Sequence, residues 1–301
     1  MSTLEREVPA KINLMLAVDK PRADGMHPIA SWMCTIELCD HIEIEHRPDS
    51  LTSLYAIEWH EEAQKTSEID WPIAGDLGVR AHRALEEEVG RELPLRMRVR
   101  KRIPVGAGLG GGSSDAAGVL VMMRELFELD VSDARLEEIG RSLGSDVPFF
   151  VRMLNENARA ALVRGLGEDI EVTPDPVVEG SDELHVLLMV PGCECSTGEV
   201  YRAFDAMVGD DHTFRDVEVA RASREGVVRP EELFNDLEAP ACDIEGRLFS
   251  AKRHAVETLG GFVWVTGSGS ALYSSHSHRV RALEASAVLA DVKGIEIRIV
   301  V

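Results

Sequence analysis

An α+β fold in two parts is what this sequence predicts, and three observations carry the prediction. In the first half, strands with one apolar and one polar face alternate with helices, the pattern of a half-exposed, mainly antiparallel sheet with helices on one side. In the second half the order is strand, helices, two strands, helix, strand, the ferredoxin-like arrangement. Between them, the glycine-rich run at 104–112 leads directly into an apolar helical segment, the layout of an anion cradle at a helix N-terminus.

The elements follow in order. Residues 8–18 read as a strand with Ala10, Ile12, Leu14 and Leu16 on one face and Lys11 and Asn13 together on the other. Further strands are expected at 29–38, 42–46 and 51–59, and the polar stretch 61–70 leads to a helix near 77–89. Leu95, Met97 and Val99 then alternate with Arg96, Arg98 and Arg100, a strand with one wet face. Helices are expected at 113–129 and 132–143. Asp175-Pro176 in a polar stretch marks a boundary, giving expected domains of 1–172 and 173–301. Beyond it come a buried strand at 184–190 and a capping box, Ser196-x-x-Glu199, opening a helix toward Met207. Helices at 217–223 and 245–259, paired strands at 262–266 and 271–275, a helix to Leu289 and a strand at 296–301 complete the chain.

Composition narrows the function. A chain of 301 residues, 45% of them hydrophobic, can build two ordinary cores. Its net charge of -21 leaves no basic field for a polyanion, so nucleic acid is not an expected partner. An anionic ligand must be met by local positive charge, for which Lys11, Arg22, Lys101, Arg102 and a helix dipole are available. The five cysteines, at 34, 39, 193, 195 and 242, are odd in number and scattered, as in a reducing compartment. Cys193-x-Cys195 and His276-x-His278 lack the spacing or partner pair of a metal site. The N-terminal stretch is too acidic and too briefly apolar for a secretory signal, and no run approaches the length of a membrane span. A soluble cytoplasmic protein without a membrane partner is expected.

Three glycine signatures compete for the loop. Gly106, Gly108 and Gly111 satisfy G-x-G-x-x-G, but the strand before a dinucleotide-binding turn should be a near-continuous apolar run, not an arginine alternation. A Walker loop would need a lysine after the last glycine, and none is there. The remaining pattern, P-x-x-x-G-L-G-G-G-S-S from Pro104 to Ser114, resembles the second motif of the GHMP kinases, the galactokinase, homoserine kinase and mevalonate kinase superfamily.

Further pieces narrow the resemblance. They are Pro9-Ala10-Lys11-Ile12-Asn13-Leu14, Arg22-x-Asp24-Gly25-Met26-His27, Gly144-Ser145-Asp146-Val147-Pro148-Phe149-Phe150, Gly165-Leu166-Gly167-Glu168 and Thr266-Gly267-Ser268-Gly269. In this order, over nearly the whole chain, they resemble the 4-diphosphocytidyl-2-C-methyl-D-erythritol kinase family of non-mevalonate isoprenoid synthesis. The resemblance implies a GHMP kinase fold, with a ribosomal protein S5 domain 2-like N-terminal domain and a ferredoxin-like C-terminal one. It also implies transfer of the γ-phosphoryl of ATP, with Mg²⁺, to the substrate's 2-hydroxyl.

Lys11 and Asp146 match the family's catalytic pair, with Asp146 as general base and Lys11 tuning it and the attacking oxygen. The alternative for Asp146 is an ordinary helix N-cap, with Pro148 two residues on. The triphosphate is expected on Pro104, Gly106, Gly108, Leu109, Gly110, Gly111, Gly112, Ser113 and Ser114, and Lys101 lies where the family contacts ATP. Ser113, Ser114 and Asp115 are possible metal neighbours, and the metal ligand stays open. Asn13, Met26, His27, Tyr201, Gly267, Ser268 and Gly269 are the expected substrate residues, His27 bonding the base and Tyr201 stacking on it.

The sequence departs from the family at three places. Met26 stands where an aromatic usually stacks on the cytosine, at a cost on the order of 1 kcal/mol of stacking. Asp76 replaces an asparagine, and the run 153–160 replaces a Gly-Gly pair. Two other readings follow: a GHMP kinase acting on another small alcohol, and a nucleotide-binding regulator without turnover, against which the presence of Lys11 and Asp146 speaks.

Overall fold

A computed structural model of the chain describes residues 2–50, 52–64, 67–290, 292 and 294–301. It packs as two compact units, neither contiguous in sequence. The first comprises Met1–Ala10, Glu37–Val105 and Gly110–Ala158, the second Lys11–Ile36, Gly106–Leu109 and Arg159–Val301. The chain passes from one unit to the other inside two long strands, β1 (Thr3–Val18) and β2 (Ile29–His46), and again on either side of 106–109. The expected boundary at 172/173 falls within the sequence range of the second unit. The two strands expected at 29–38 and 42–46 are one, β2, with no break at residues 39–41.

In the first unit β3 (Leu54–Trp59) runs parallel to β4 (Leu95–Lys101), whose other edge is antiparallel to residues 41–46 of β2. Leu51, the first residue of the strand expected at 51–59, lies outside the described residues, as do Lys65 and Thr66 of the polar stretch. The alternation of β4 is realised: Leu95, Met97 and Val99 are buried, and Arg96 and Arg100 reach Glu45 and Glu43 of β2 at 3.1 and 3.7 Å. Exposed pairs of this kind contribute about 0.2–1 kcal/mol each, whereas each large side chain on the buried row contributes about 1.5–3 kcal/mol.

The period of two also puts Lys101 on the inner row, where it is buried. Helix α1 (Leu77–Val89) begins at Asp76, whose carboxylate accepts from Gly78 N and Val79 N, and ends at Gly90 with φ 66°. Helix α2 (Gly111–Leu126) is buried from Ser114 through Met123 and lies close under the sheet: a Cβ on Gly118 would come within 2.5 Å of Val8 Cγ1. Helix α3 (Asp133–Leu143) is capped by Ser132, as its sequence suggests. Helix α4 (Val147–Glu156) follows Asp146, with Pro148 in its first turn, where a helix accommodates it.

In the second unit residues 29–34 of β2 pair antiparallel with β5 (Ala160–Gly165), which turns back into β6 (Asp169–Val172). The Gly165-Leu166-Gly167-Glu168 motif is that hairpin turn, with Leu166 N donating to Glu168 Oε2 at 2.5 Å. Two short strands, β7 (Val177–Val178) and β9 (Val227–Val228), pair in parallel.

The remaining strands form an antiparallel sheet in the order β10 (Trp264–Val265), β11 (Leu272–His276), β8 (His185–Pro191), β12 (Ile295–Val300), the ferredoxin-like order. Its core joins Leu187, Met189 and Leu272 to Val200 and Phe204 of α5 (Thr197–Met207), Ala241 of α7 (Glu238–Ile244), Leu248 of α8 (Gly246–Leu259) and Ala285 of α9 (Arg279–Val288). Helix α6 (Asp216–Glu225) precedes β9. The capping box at Ser196 does not form: Ser196 occupies the N-cap position without a side-chain capping bond. Helix α7 was not expected, because Pro240 interrupts its helical pattern.

Candidate active site

In the second unit, β1 presents Lys11 and Asn13 on one face, two residues apart. Lys11 Nζ donates to Asn13 Oδ1 at 2.8 Å. The asparagine is itself held: Nδ2 donates to Ser31 Oγ at 2.8 Å, the Ser31 hydroxyl donates to the Met15 carbonyl at 2.8 Å, and Asn13 N donates to Thr266 Oγ1 at 2.8 Å. All four side chains are buried. Burying an ammonium and an amide is expensive without hydrogen bonds, so a network this complete fixes the position of Lys11. Asn13 was expected at the substrate. Its carbonyl accepts from Lys11 and one N–H donates to Ser31.

Residues 106–109 are tied into the same unit from two sides, Lys11 N donating to the Leu109 carbonyl at 3.0 Å and Ala271 N to the Ala107 carbonyl at 3.1 Å. Leu109 is buried, so it contributes backbone rather than side chain to this turn. Gly108 has φ 77°, and a Cβ there would stand 2.7 Å from the Gly269 carbonyl oxygen, so no L side chain fits. A Cβ on Gly267 would lie 3.2 Å from Asn13 Oδ1 and 3.5 Å from Lys11 Nζ. The 267–269 turn is thus gathered with Lys11, Asn13 and Gly108, and is more than a hairpin connection. Ser268 Oγ shares a hydrogen bond with Thr197 Oγ1 at 3.0 Å, and Glu194 lies against Gly106.

The turn has a buttress that sequence reasoning missed. Asn235 Nδ2 donates to the carbonyls of Val265 and Gly267, both at 2.8 Å, and its Oδ1 accepts from Leu237 N. The roles of Asn235 and Ser31 are not legible locally, since Asn235 reaches Val265, 30 residues on, and Ser31 reaches Asn13, 18 residues back.

In the first unit, Pro104 is buried and leads toward Gly110, the N-cap residue of α2. Gly110 has φ 72° and makes no side-chain cap. The amides of Gly111, Gly112 and Ser113 fall in the first turn, where an α-helix offers no intrahelical acceptor and its dipole is positive. Gly111 is required by its neighbours, since a Cβ would meet Ile103 Cγ2 at 2.9 Å. Ser113 is half-buried. Ser114 is fully buried and its hydroxyl donates to the Pro9 carbonyl at 2.7 Å, an anchor between α2 and β1.

Lys101, expected at the nucleotide, has its ammonium between two carboxylates, 2.5 Å from both Asp40 Oδ2 and Asp115 Oδ2. Asp40 Oδ1 also accepts from Arg102 N and Ile103 N, which fixes the end of β4. Burial alone would lower the Lys101 pKa, but the two carboxylates more than offset it and hold it above the ordinary range. Asp115 is pushed up to about 8 by burial, with the Asp40 charge adding and the Lys101 charge opposing. Asp146 occupies the N-cap position of α4 but makes no capping bond, so the capping explanation of this residue fails.

The expected base-binding residues lie in the second unit. Met26 is 51% exposed, at the end of a turn in which its amide donates to Asp24 Oδ1. His27 packs on Tyr201, ring centroids 4.9 Å apart, and its Nε2 is 2.7 Å from Asp205 Oδ1.

Among the described residues no group of three or more His, Cys, Asp or Glu side chains is arranged to hold a metal ion. Of the three residues considered, Asp115 bonds Lys101 through Oδ2 and Ser114 donates to the Pro9 carbonyl. No described helix is long and apolar enough to cross a membrane.

Comparison with known proteins agrees with this geometry. Residues 76–153 match the GHMP kinases N terminal domain. The chain is 35% identical over 297 residues to a 4-diphosphocytidyl-2-C-methyl-D-erythritol kinase of Citrifermentans bemidjiense, covering 98% of this chain and 97% of that protein. A crystal structure of 4-(cytidine 5'-diphospho)-2C-methyl-D-erythritol kinase superposes with a TM-score of 0.72 at 31% identity, covering 95% of this chain and 96% of the other. A homoserine kinase from Cytophaga hutchinsonii shares the fold, with a TM-score of 0.71 at 12% identity, over 100% of this chain and 94% of its own.

Proposed function

We propose, from the premise that this chain belongs to the 4-diphosphocytidyl-2-C-methyl-D-erythritol kinases of the GHMP family, that it phosphorylates the 2-hydroxyl of 4-diphosphocytidyl-2-C-methyl-D-erythritol with ATP, a step of non-mevalonate isoprenoid synthesis. It is an ATP-dependent small-molecule kinase. The observation that carries the reading is the cluster of Lys11, Asn13, Gly108 and the 267–269 turn, a cation oriented by a buried network beside backbone that tolerates no side chain.

Phosphoryl transfer needs positioning and charge stabilisation more than covalent help from the protein. Backbone amides of 106–113 are assigned to the triphosphate, assisted by the positive end of α2. Asp146 takes the proton of the acceptor hydroxyl as that oxygen bonds the γ-phosphorus and the bond from phosphorus to the bridging oxygen breaks. Lys11 stabilises negative charge on the attacking oxygen, and the second N–H of Asn13 is assigned to the substrate. Mg²⁺ would arrive with the nucleotide and neutralise phosphate charge, with Ser113 as its protein neighbour. Such an ion commonly keeps its waters and takes few protein ligands. Met26, His27 and Tyr201 are assigned to the cytosine, and Gly267, Ser268 and Gly269 to the phosphorylated end. A cytoplasmic location and domains of 1–172 and 173–301 complete the reading.

The test is ADP release with the cytidyl substrate. Turnover is expected, and Asp146→Asn should lower kcat by about 10²- to 10⁴-fold while ATP affinity stays nearly unchanged. Retained activity in that variant removes Asp146 from its role. A second reading, a kinase of another small alcohol, is favoured by one observation, the exposed thioether of Met26 where an aromatic ring would stack. Efficient turnover of other alcohols and poor turnover of the cytidyl compound would select it.

A further inference from the structure

We propose that Asp205 is a positioning residue for nucleobase recognition, holding the His27 imidazole with its proton on Nε2 so that Nδ1 faces the ligand as an acceptor. The proposal rests on the reading of this chain as a kinase of a cytidyl substrate and deepens it by naming what selects the base.

Helix α5 places Tyr201 and Asp205 four residues apart, on one face. His27 is held by that face on three sides. Tyr201 packs against its ring at 4.9 Å with an interplanar angle of 46°, Phe204 meets it edge-on at 6.0 Å and 80°, and Asp205 Oδ1 is 2.7 Å from Nε2. The His27 side chain is 7% exposed, which leaves the ring little room to turn, and the Asp205 side chain is 38% exposed.

An ionised carboxylate only accepts hydrogen bonds, so the proton in the short contact sits on Nε2. The neutral ring then carries its lone pair on Nδ1. Among the described residues nothing hydrogen-bonds Nδ1. Cytosine offers an exocyclic amine where uracil offers a carbonyl oxygen. An acceptor at this position bonds the first and opposes the second, and a polar group left unpaired in a binding site discriminates strongly. Asp205 thereby acts on the base without touching it. Nothing in the local sequence announces this, since the two residues are 178 positions apart.

The experiment compares wild type with Asp205→Ala, using matched cytidine and uridine diphosphate sugar alcohols at saturating ATP. The expected result is a KM for the cytidyl compound raised on the order of tenfold, in line with loss of a hydrogen bond to a charged group. The cytidyl-to-uridyl ratio of kcat/KM should narrow by a similar factor, and kcat should stay within about threefold. In parallel, ¹⁵N NMR of the wild-type protein should find His27 protonated on Nε2 in the neutral ring, a readout that does not depend on any variant folding. The proposal is overturned if the variant keeps the wild-type KM and ratio, if kcat falls with the melting temperature while the ratio holds, or if wild-type His27 carries its proton on Nδ1. A wild type that does not turn over the cytidyl compound would overturn the kinase reading instead, and the NMR result would still judge the Asp205 contact.

Discussion

Two buried lysines, one in each unit, are set by different named partners. Lys101, 3% exposed, lies between Asp40 and Asp115, and their charges drive its pKa up. Lys11, 5% exposed, donates to the neutral carbonyl of Asn13, which Ser31 and the Thr266 hydroxyl hold in place. A carboxylate compensates the charge it binds, while the amide oxygen of Asn13 fixes the direction of the Lys11 ammonium. The first arrangement suits a fastening at the end of β4 and the second suits a reagent. Burial alone would not have told them apart.

Replacing each lysine by methionine should break the comparison in different observables. For Lys11→Met the expected loss is in kcat, about 10³-fold, as for removal of a preorganised group that stabilises developing charge, with the thermal unfolding midpoint shifted less than in the Lys101 variant. For Lys101→Met the loss is in stability, about 3–5 kcal/mol, because two buried carboxylates are left facing each other without their cation. Denaturant titration and initial rates on both variants measure this. If Lys101→Met remains as stable as wild type, or Lys11→Met retains its rate, the division of labour is wrong.

A smaller change sharpens the Lys11 side. Ser31 is remote from the glycine turns in sequence and fully buried, yet it bridges Asn13 Nδ2 and the Met15 carbonyl. Ser31→Ala removes the acceptor of Asn13 Nδ2 and a donor to the Met15 carbonyl, a cost of about 1–3 kcal/mol. If the network orients Lys11, kcat should fall on the order of tenfold while ATP affinity is unchanged. A loss of stability with kcat intact would reduce Ser31 to a packing role.

What the sequence made legible follows the range of the interactions involved. The wet and dry rows of β4, the helix over Leu77–Val89 and the ferredoxin-like order were readable because pleat, capping and helix periodicity act over a few residues. The same period of two puts Lys101 on the buried row of its strand. Ser196 and Glu199 have the right spacing for a capping box that does not form, and Pro240 masked α7. Asp40, Ser31, Asn235 and Asp205 were not readable. Each acts on a partner between 18 and 178 residues away, a relation that only the folded chain creates.

The smallest effect concerns the carboxylate on the other side of Lys101. Asp115 has its pKa raised from 3.8 to about 8, first by burial, with the charges of Asp40 and Asp76 adding to the effect and Lys101 opposing it. Between those two values the folded chain holds a proton that the unfolded chain has released. Stability contributed by this group is therefore greatest in acid and declines as pH rises from about 4 to about 8. Asp115→Asn removes the titration, and its amide can still offer an oxygen to Lys101. The second carboxylate oxygen, Oδ1, is buried with no partner among the described residues, so an amide nitrogen in its place costs about 1–3 kcal/mol for unpaired N–H groups. The variant should be less stable than wild type at pH 5 and approach it by pH 8, because only wild type loses stability over that interval. Urea titrations of both proteins at the two pH values measure the convergence. Parallel curves would mean that Asp115 stays ionised throughout, that both Asp40 and Asp115 are charged beside Lys101, and that the fastening carries a net negative charge at every pH the protein meets.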